Sequence, residues 1–147
     1  MRTERGRRPR FLLFGGGALL VAAVRWLLGH VTAVEVRGGS MAPGLLPGDW
    51  LFAERLSYVF RAPHVGEVVV AADPRERERD LVKRVTAVEA GLVTVHGDHP
   101  EASTDSREFG PIPTSLVRGR VWLRYWPPSR MGIVGRRRPA SSPGGEG

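Results

Sequence analysis

A serine hydroxyl becomes a nucleophile only when a neighbouring base takes its proton. Ser40 has surroundings suited to such a role. It lies in GGSMAPGLLPGD, residues 38 to 49, between Gly38–Gly39 and a stretch holding Pro43, Gly44, Pro47 and Gly48. That composition places the serine on a tight turn, and glycines let a second backbone approach closely. Read alone, the segment also fits an ordinary surface turn. A thiolate nucleophile is excluded, because the 147-residue chain has no cysteine.

The candidate base is Lys83, in LVKRV. It is the only lysine; the other 21 basic residues are arginines. Arginine keeps its proton at any accessible pH, whereas a desolvated lysine amine can lose it. A lone lysine is also what chance leaves in an arginine-rich chain. Strand alternation puts Lys83 on one face with Leu81 and Val85, and Arg84 on the other. If that face is the buried one, the amine's pKa falls and Ser/Lys catalysis comes within reach. The alternative is a solvated lysine beside Arg84.

A third segment, GDHPEASTDSREFG from Gly97 to Gly110, gathers Ser103, Thr104, Asp105, Ser106 and Arg107 within five residues. Hydroxyls there can hold a neutral amine in place, and Asp105 with Arg107 can form a buried pair that fixes the loop.

The elements that must position these groups are short. Val31–Val36, Trp50–Ala53, Glu67–Ala71, Leu81–Val88, Leu92–His96 and Val117–Trp126 are valine-rich runs separated by Gly, Pro and Asp, and they read as strands. The body is therefore expected to be mainly β, a small closed or sandwiched sheet. Asp73–Asp80, DPRERERD, reads as a solvated hairpin loop. Residues 1–10 form a basic tail. Residues 11–29 are apolar apart from Arg25 and just approach the roughly 20 residues a bilayer span needs, which predicts a membrane anchor. The arginines before it predict the N-terminus inside and the domain outside, a single-pass plasma-membrane topology with an extracytoplasmic catalytic domain. A cleavable signal peptide and a buried core helix are the rival readings. Residues 131–147, rich in Arg, Pro, Ser and Gly, are expected to be disordered. Trp50, Leu51 and Phe52 are candidates for a lipid-facing edge.

The net charge of +7 lies in the two tails and leaves the body neutral. A phosphate-tracking groove needs its charge on the folded surface, so nucleic acid is not the expected partner. His96, Asp98 and His99 suggest a metal site or a triad only weakly, so neither metal nor cofactor is expected.

Taken in order, the three segments resemble the boxes of the signal peptidase I family, peptidase family S26. Ser40, Met41 and Pro43 match its SM-x-P; Lys83, Arg84 and Val85 match KRV; Gly97, Asp98, Ser103, Asp105, Ser106, Arg107 and Gly110 match its last box. The resemblance covers about residues 31 to 130. It implies a small signal-peptidase-like β-domain with one N-terminal hydrophobic helix. The implied activity is that of a serine endopeptidase that removes targeting peptides from precursor proteins with small residues near the cleavage site, beside membrane lipid. It implies Ser40 as nucleophile and Lys83 as base. Ser103 would orient the amine, Gly38 and Gly39 would belong to the oxyanion turn, and Asp105 with Arg107 would support the site. Val36, Met41 and Val82 would line the pocket. The chain departs from the pattern at Gly38, where some members carry a hydroxyl, at Gly44, often threonine, and at His99, where the family has asparagine. A compact form of the kind that matures nickel superoxide dismutase is the alternative within the enzyme reading. A non-catalytic membrane-associated interaction protein is the alternative outside it.

Overall fold

The computed structural model describes residues 13–137. The chain divides into two compact units, Met1–His30 and Val31–Gly147.

In the first unit, α1 spans Leu13–Leu28. Sixteen residues at the helical rise give about 24 Å, short of a hydrocarbon core of about 30 Å. Among the described residues no helix is long and apolar enough to cross a membrane. The expected anchor thus corresponds to a shorter apolar helix with Arg25 in its last turn, and residues 11 and 12 lie outside the described part. The basic tail 1–10 lies outside it as well.

The second unit is mainly β, as expected. Its strands are β1 Val31–Glu35, β2 Trp50–Glu54, β3 Val68–Ala72, β4 Asp80–Glu89, β5 Leu92–His96, β6 Ile112–Pro113, β7 Val117–Trp126 and β8 Gly132–Ile133. Two single-turn helices accompany them, α2 Ser57–Phe60 and α3 Ser106–Phe109. The strands form one curled antiparallel sheet in the order β1-β2-β7-β3-β4-β5-β6, with β8 pairing to β7.

β3 explains how one sheet encloses two cores. Its five residues are all buried, which is why they read as an unbroken apolar run rather than an alternation. Val68 and Val70 enter a cluster with Val36, Met41, Leu51 and Val121. Val69 and Ala71 enter another with Val85, Val93, Val95 and Ile112. The first cluster lies under the Ser40 turn, and the second under the strands that carry Lys83 and the 97–110 loop.

Two expectations change. Leu51 does not face lipid: it is fully buried in the first cluster, because alternation along β2 turns it inward while Trp50 and Phe52 turn outward. Phe52 stacks on Tyr125 with ring centroids 4.2 Å apart. The stretch expected to be disordered begins too early at 131. Gly132 and Ile133 pair with Arg124 and Leu123 of β7, and Val134 packs against the first cluster. Residues 138–147 lie outside the described part.

Candidate active site

Ser40 sits in the middle of a single 3-10 turn, Gly39–Met41, entered from extended backbone at Gly38. The loop that follows this turn is held by Asp49, which sequence alone could not say. Asp49 is fully buried. Its carboxylate accepts from Leu46 N at 3.0 Å, Arg124 Nη1 at 3.1 Å and Arg130 Nη2 at 2.5 Å. Burial alone would raise its pKa, but these donors hold it below the usual carboxylate range. Val36 N donates to Asp49 O at 2.8 Å, and Gly48 N to Val36 O at 2.8 Å. Gly48 has φ +87°, a left-handed conformation that suits glycine. The loop after Ser40 is thereby tied to β7 and to the end of β1.

Lys83 lies on the buried face of β4, only 3% exposed, between Leu81 and Val85. Arg84, on the other face, forms a bidentate pair with Asp98 at 2.8 and 2.7 Å. Burial pushes the Lys83 amine below the ordinary lysine value; Asp105 opposes this, and the Arg107 and Arg79 guanidiniums reinforce it. Nζ donates to Ser103 Oγ at 2.9 Å. Ser103 in turn donates to Asp105 Oδ2 at 2.5 Å.

Asp105 is the fixed end of this chain of hydrogen bonds. It is fully buried and caps α3 by accepting from Arg107 N at 3.1 Å. It also accepts from Gly97 N at 2.8 Å and from the Arg107 side chain, with Nε at 2.9 Å. Burial would raise its pKa; Arg107, Ser103 and Gly97 hold it far below the usual carboxylate range. The expected Asp105–Arg107 pair is therefore present, with the carboxylate buried and the guanidinium side chain 39% exposed.

Gly97 was read as part of a motif, and the structure gives it a packing role. A Cβ there would lie 2.3 Å from Ser103 Oγ and 2.5 Å from Ser40 O. Only a glycine lets the loop bring the Ser103 hydroxyl and the Ser40 backbone this close. His99 N then donates to Ser40 O at 2.8 Å. It is the His99 backbone that meets the Ser40 turn.

Ser40, Lys83, Val36, Met41, Val82 and Gly38 all line one cleft of ≈ 650 Å³, with Ala102 and Thr104 from the 97–110 loop. Gly39 lies beside it, its Cβ position 4.0 Å from Ala102. Among the described residues no hydrogen bond joins Ser40 Oγ to Lys83 Nζ; the amine's partner is Ser103. Catalytic contacts are often loose without substrate and tighten when it binds. Among the described residues no group of His, Asp or Glu has metal-holding geometry.

The edges of the cleft are backbone edges. β1 pairs only with β2 among the described residues. β5 joins β4 from Arg84 onward, so Asp80–Lys83 have β3 on one side and no strand on the other. Two free strand edges border one cleft, and an extended peptide can hydrogen-bond to such edges.

A buried lysine amine, a nearby serine on a turn and two open strand edges define a peptide-processing class of site. The comparisons agree. The model of the family described as signal peptidase, peptidase S26, matches residues 10–93 and 86–126. The chain is 37% identical over 127 residues to the mitochondrial ATP-independent inner membrane protease subunit 1a of Arabidopsis thaliana, covering 71% of this chain and 76% of that one. It is 34% identical over 121 residues to the mitochondrial inner membrane protease subunit 1 of Homo sapiens, covering 69% and 73%. It is 30% identical over 139 residues to the probable thylakoidal processing peptidase 2 of Arabidopsis thaliana, covering 65% of this chain and 38% of that one. The chain belongs to the S26 signal peptidase family, and its activity class is that of a peptidase.

Proposed function

We propose that this protein is a serine endopeptidase that removes targeting peptides from precursor proteins through a Ser40–Lys83 dyad. The observation that carries the reading is the buried, pKa-lowered Lys83 amine hydrogen-bonded to Ser103 and sharing a cleft with Ser40. In this mechanism the neutral amine takes the Ser40 hydroxyl proton as Oγ bonds to the scissile carbonyl carbon. The Ser40 backbone N–H faces the developing oxyanion; Gly38 has no hydroxyl to add a second donor. The C–N bond then breaks, and the Lys83 ammonium returns its proton to the leaving amine. Water attacks the acyl carbon as Lys83 takes its proton; the ester C–O bond then breaks, and the Lys83 ammonium returns that proton to Ser40 Oγ.

Val36, Met41 and Val82 belong to or pack on the first core cluster. Walls so close to Ser40 favour small side chains beside the scissile bond. The named relatives are inner membrane and thylakoidal proteases, and α1 is apolar with a cation in its last turn. Both support a membrane-attached enzyme, and the five arginines among residues 1–10 favour a catalytic unit on the outer side. Attachment is checked by alkaline extraction of membranes, and orientation by protease access to a tag placed after residue 130.

The mechanism is tested with purified protein and a panel of precursor peptides. Ser40→Ala, Lys83→Arg and Lys83→Met are each expected to lower cleavage by about 10⁴-fold or more, with circular dichroism unchanged. Wild-type activity in folded Lys83→Arg overturns the mechanism, because a guanidinium cannot act as the base.

A further inference from the structure

The cleft continues past Lys83, along β4 to the hairpin loop 73–80, where Glu78, Arg79 and Asp80 contribute to its wall together with Thr32 and Ala33 of β1. This loop is built to hold one position. Asp73 is buried and fastens Arg75 through the backbone N–H at 2.9 Å and the guanidinium at 2.8 and 3.0 Å. Asp73 N donates to Arg79 O at 2.9 Å, and Arg79 N to Glu76 O at 2.9 Å. Both backbone polar groups of Arg79 are therefore fixed at the cleft.

Its side chain is exposed and makes no ion pair among the described residues. Neighbouring charges are already engaged: Asp80 pairs with Arg118 at 3.1 Å, and Glu35 with Arg37 at 3.4 Å. Glu78 has no such partner among the described residues; it precedes Arg79 in the turn that leads into β4. Arg79 is thus a cation without an ion pair among the described residues, at the far part of the same groove, and its charge is felt at the Lys83 amine. Four residues at the strand rise separate it from Lys83 by about 13 Å.

We propose that Arg79 is a specificity residue that selects precursors carrying an acidic side chain about four residues from the scissile bond. The inference rests on the reading of this cleft as the substrate groove. A peptide strand laid along the free edge of Asp80–Lys83 brings one side chain to the guanidinium, and a carboxylate there forms the pair that Arg79 lacks. The contact is open to water, so it contributes modestly and weakens with salt.

The test measures binding, so that it does not depend on cleavage. Fluorescent peptides are titrated into full-length Ser40→Ala protein by anisotropy, with Glu, Gln or Lys placed in turn three to six residues on either side of an Ala-rich cleavage site. One position is expected to prefer Glu over Lys by about tenfold in Kd, and the preference is expected to shrink at 0.5 M NaCl. Arg79→Gln removes it and Arg79→Glu reverses it, while Arg37→Gln leaves it in place. The absence of a charge preference at every position overturns the proposal, and so does a preference lost in Arg37→Gln but kept in Arg79→Gln. Wild-type cleavage of the Gln peptides is scored separately. Cleavage without charge preference therefore sinks the role of Arg79 and leaves the protease reading standing.

Discussion

Lys83 Nζ and Ser103 Oγ are 2.9 Å apart although twenty positions separate them in sequence. The contact is polarised from behind. Ser103 donates its own hydrogen bond to Asp105, which the Arg107 and Gly97 donors hold ionised against the effect of burial. The hydroxyl therefore presents a lone pair to the amine, and the amine is aimed before substrate arrives.

Ser103→Ala leaves a buried N–H of Lys83 without its acceptor. An unsatisfied buried donor costs about 1–3 kcal/mol, so kcat is expected to fall by about 10- to 100-fold with KM little changed. Ser103→Thr restores most of the loss. Steady-state kinetics on one peptide checks both variants.

Arg107 acts on Lys83 by charge as well as through Asp105. In the proposed mechanism a neutral amine is the active form, so activity is expected to rise with pH through the Lys83 pKa. Arg107→Gln removes a positive charge that disfavours the ammonium. The acid limb of the kcat/KM profile is expected to move to higher pH, while still lying below the ordinary lysine value, because burial remains. A profile that stays put shows that Arg107 only supports the loop.

Gly97→Ala puts a methyl group into the space shared by Ser103 and Ser40. The neighbours are a backbone carbonyl and a short side chain, so the Ser40 turn and the 97–110 loop must part. Activity is expected to fall by about 100-fold, and stability by about 1–3 kcal/mol in urea denaturation.

Glu67 controls acid stability away from the chemistry. It is buried and accepts from Arg61 at 2.7 Å, Tyr58 at 3.0 Å, His64 N at 3.0 Å and Arg136 at 3.0 Å. Burial would raise its pKa, yet these donors lower it to about 2 from an ordinary 4.5. A depressed carboxylate stabilises the fold above its unfolded pKa, and the contribution is lost as pH falls from 4.5 through about 2. It amounts to about 3 kcal/mol. Glu67→Gln is expected to lower the urea midpoint near pH 6, and the gap from wild type should close toward pH 2.

Much of this was already written along the chain. Period-two patterning and, for β3, a short apolar run located every main strand, with β5 and β7 bounded as expected, since a half-buried strand imprints its two faces on alternate residues. The same rule placed Lys83 on the inner face and Arg84 outside. It was applied too loosely at Trp50–Phe52, where alternation itself buries Leu51. The sequence by itself singled out the candidates for the chemistry: one lysine among arginines, a serine in a glycine-rich turn, and a hydroxyl- and charge-rich loop. Tertiary structure decided which of them meet. It gave Lys83 to Ser103 rather than directly to Ser40, tied the loop after the serine turn to Arg124 and Arg130 through Asp49, and set Arg136 on Glu67. Those pairings are long-range, and any of the many arginines has the right type for them. Residue type is local and legible; the choice among equivalent partners is made only when antiparallel register and burial bring one of them within reach.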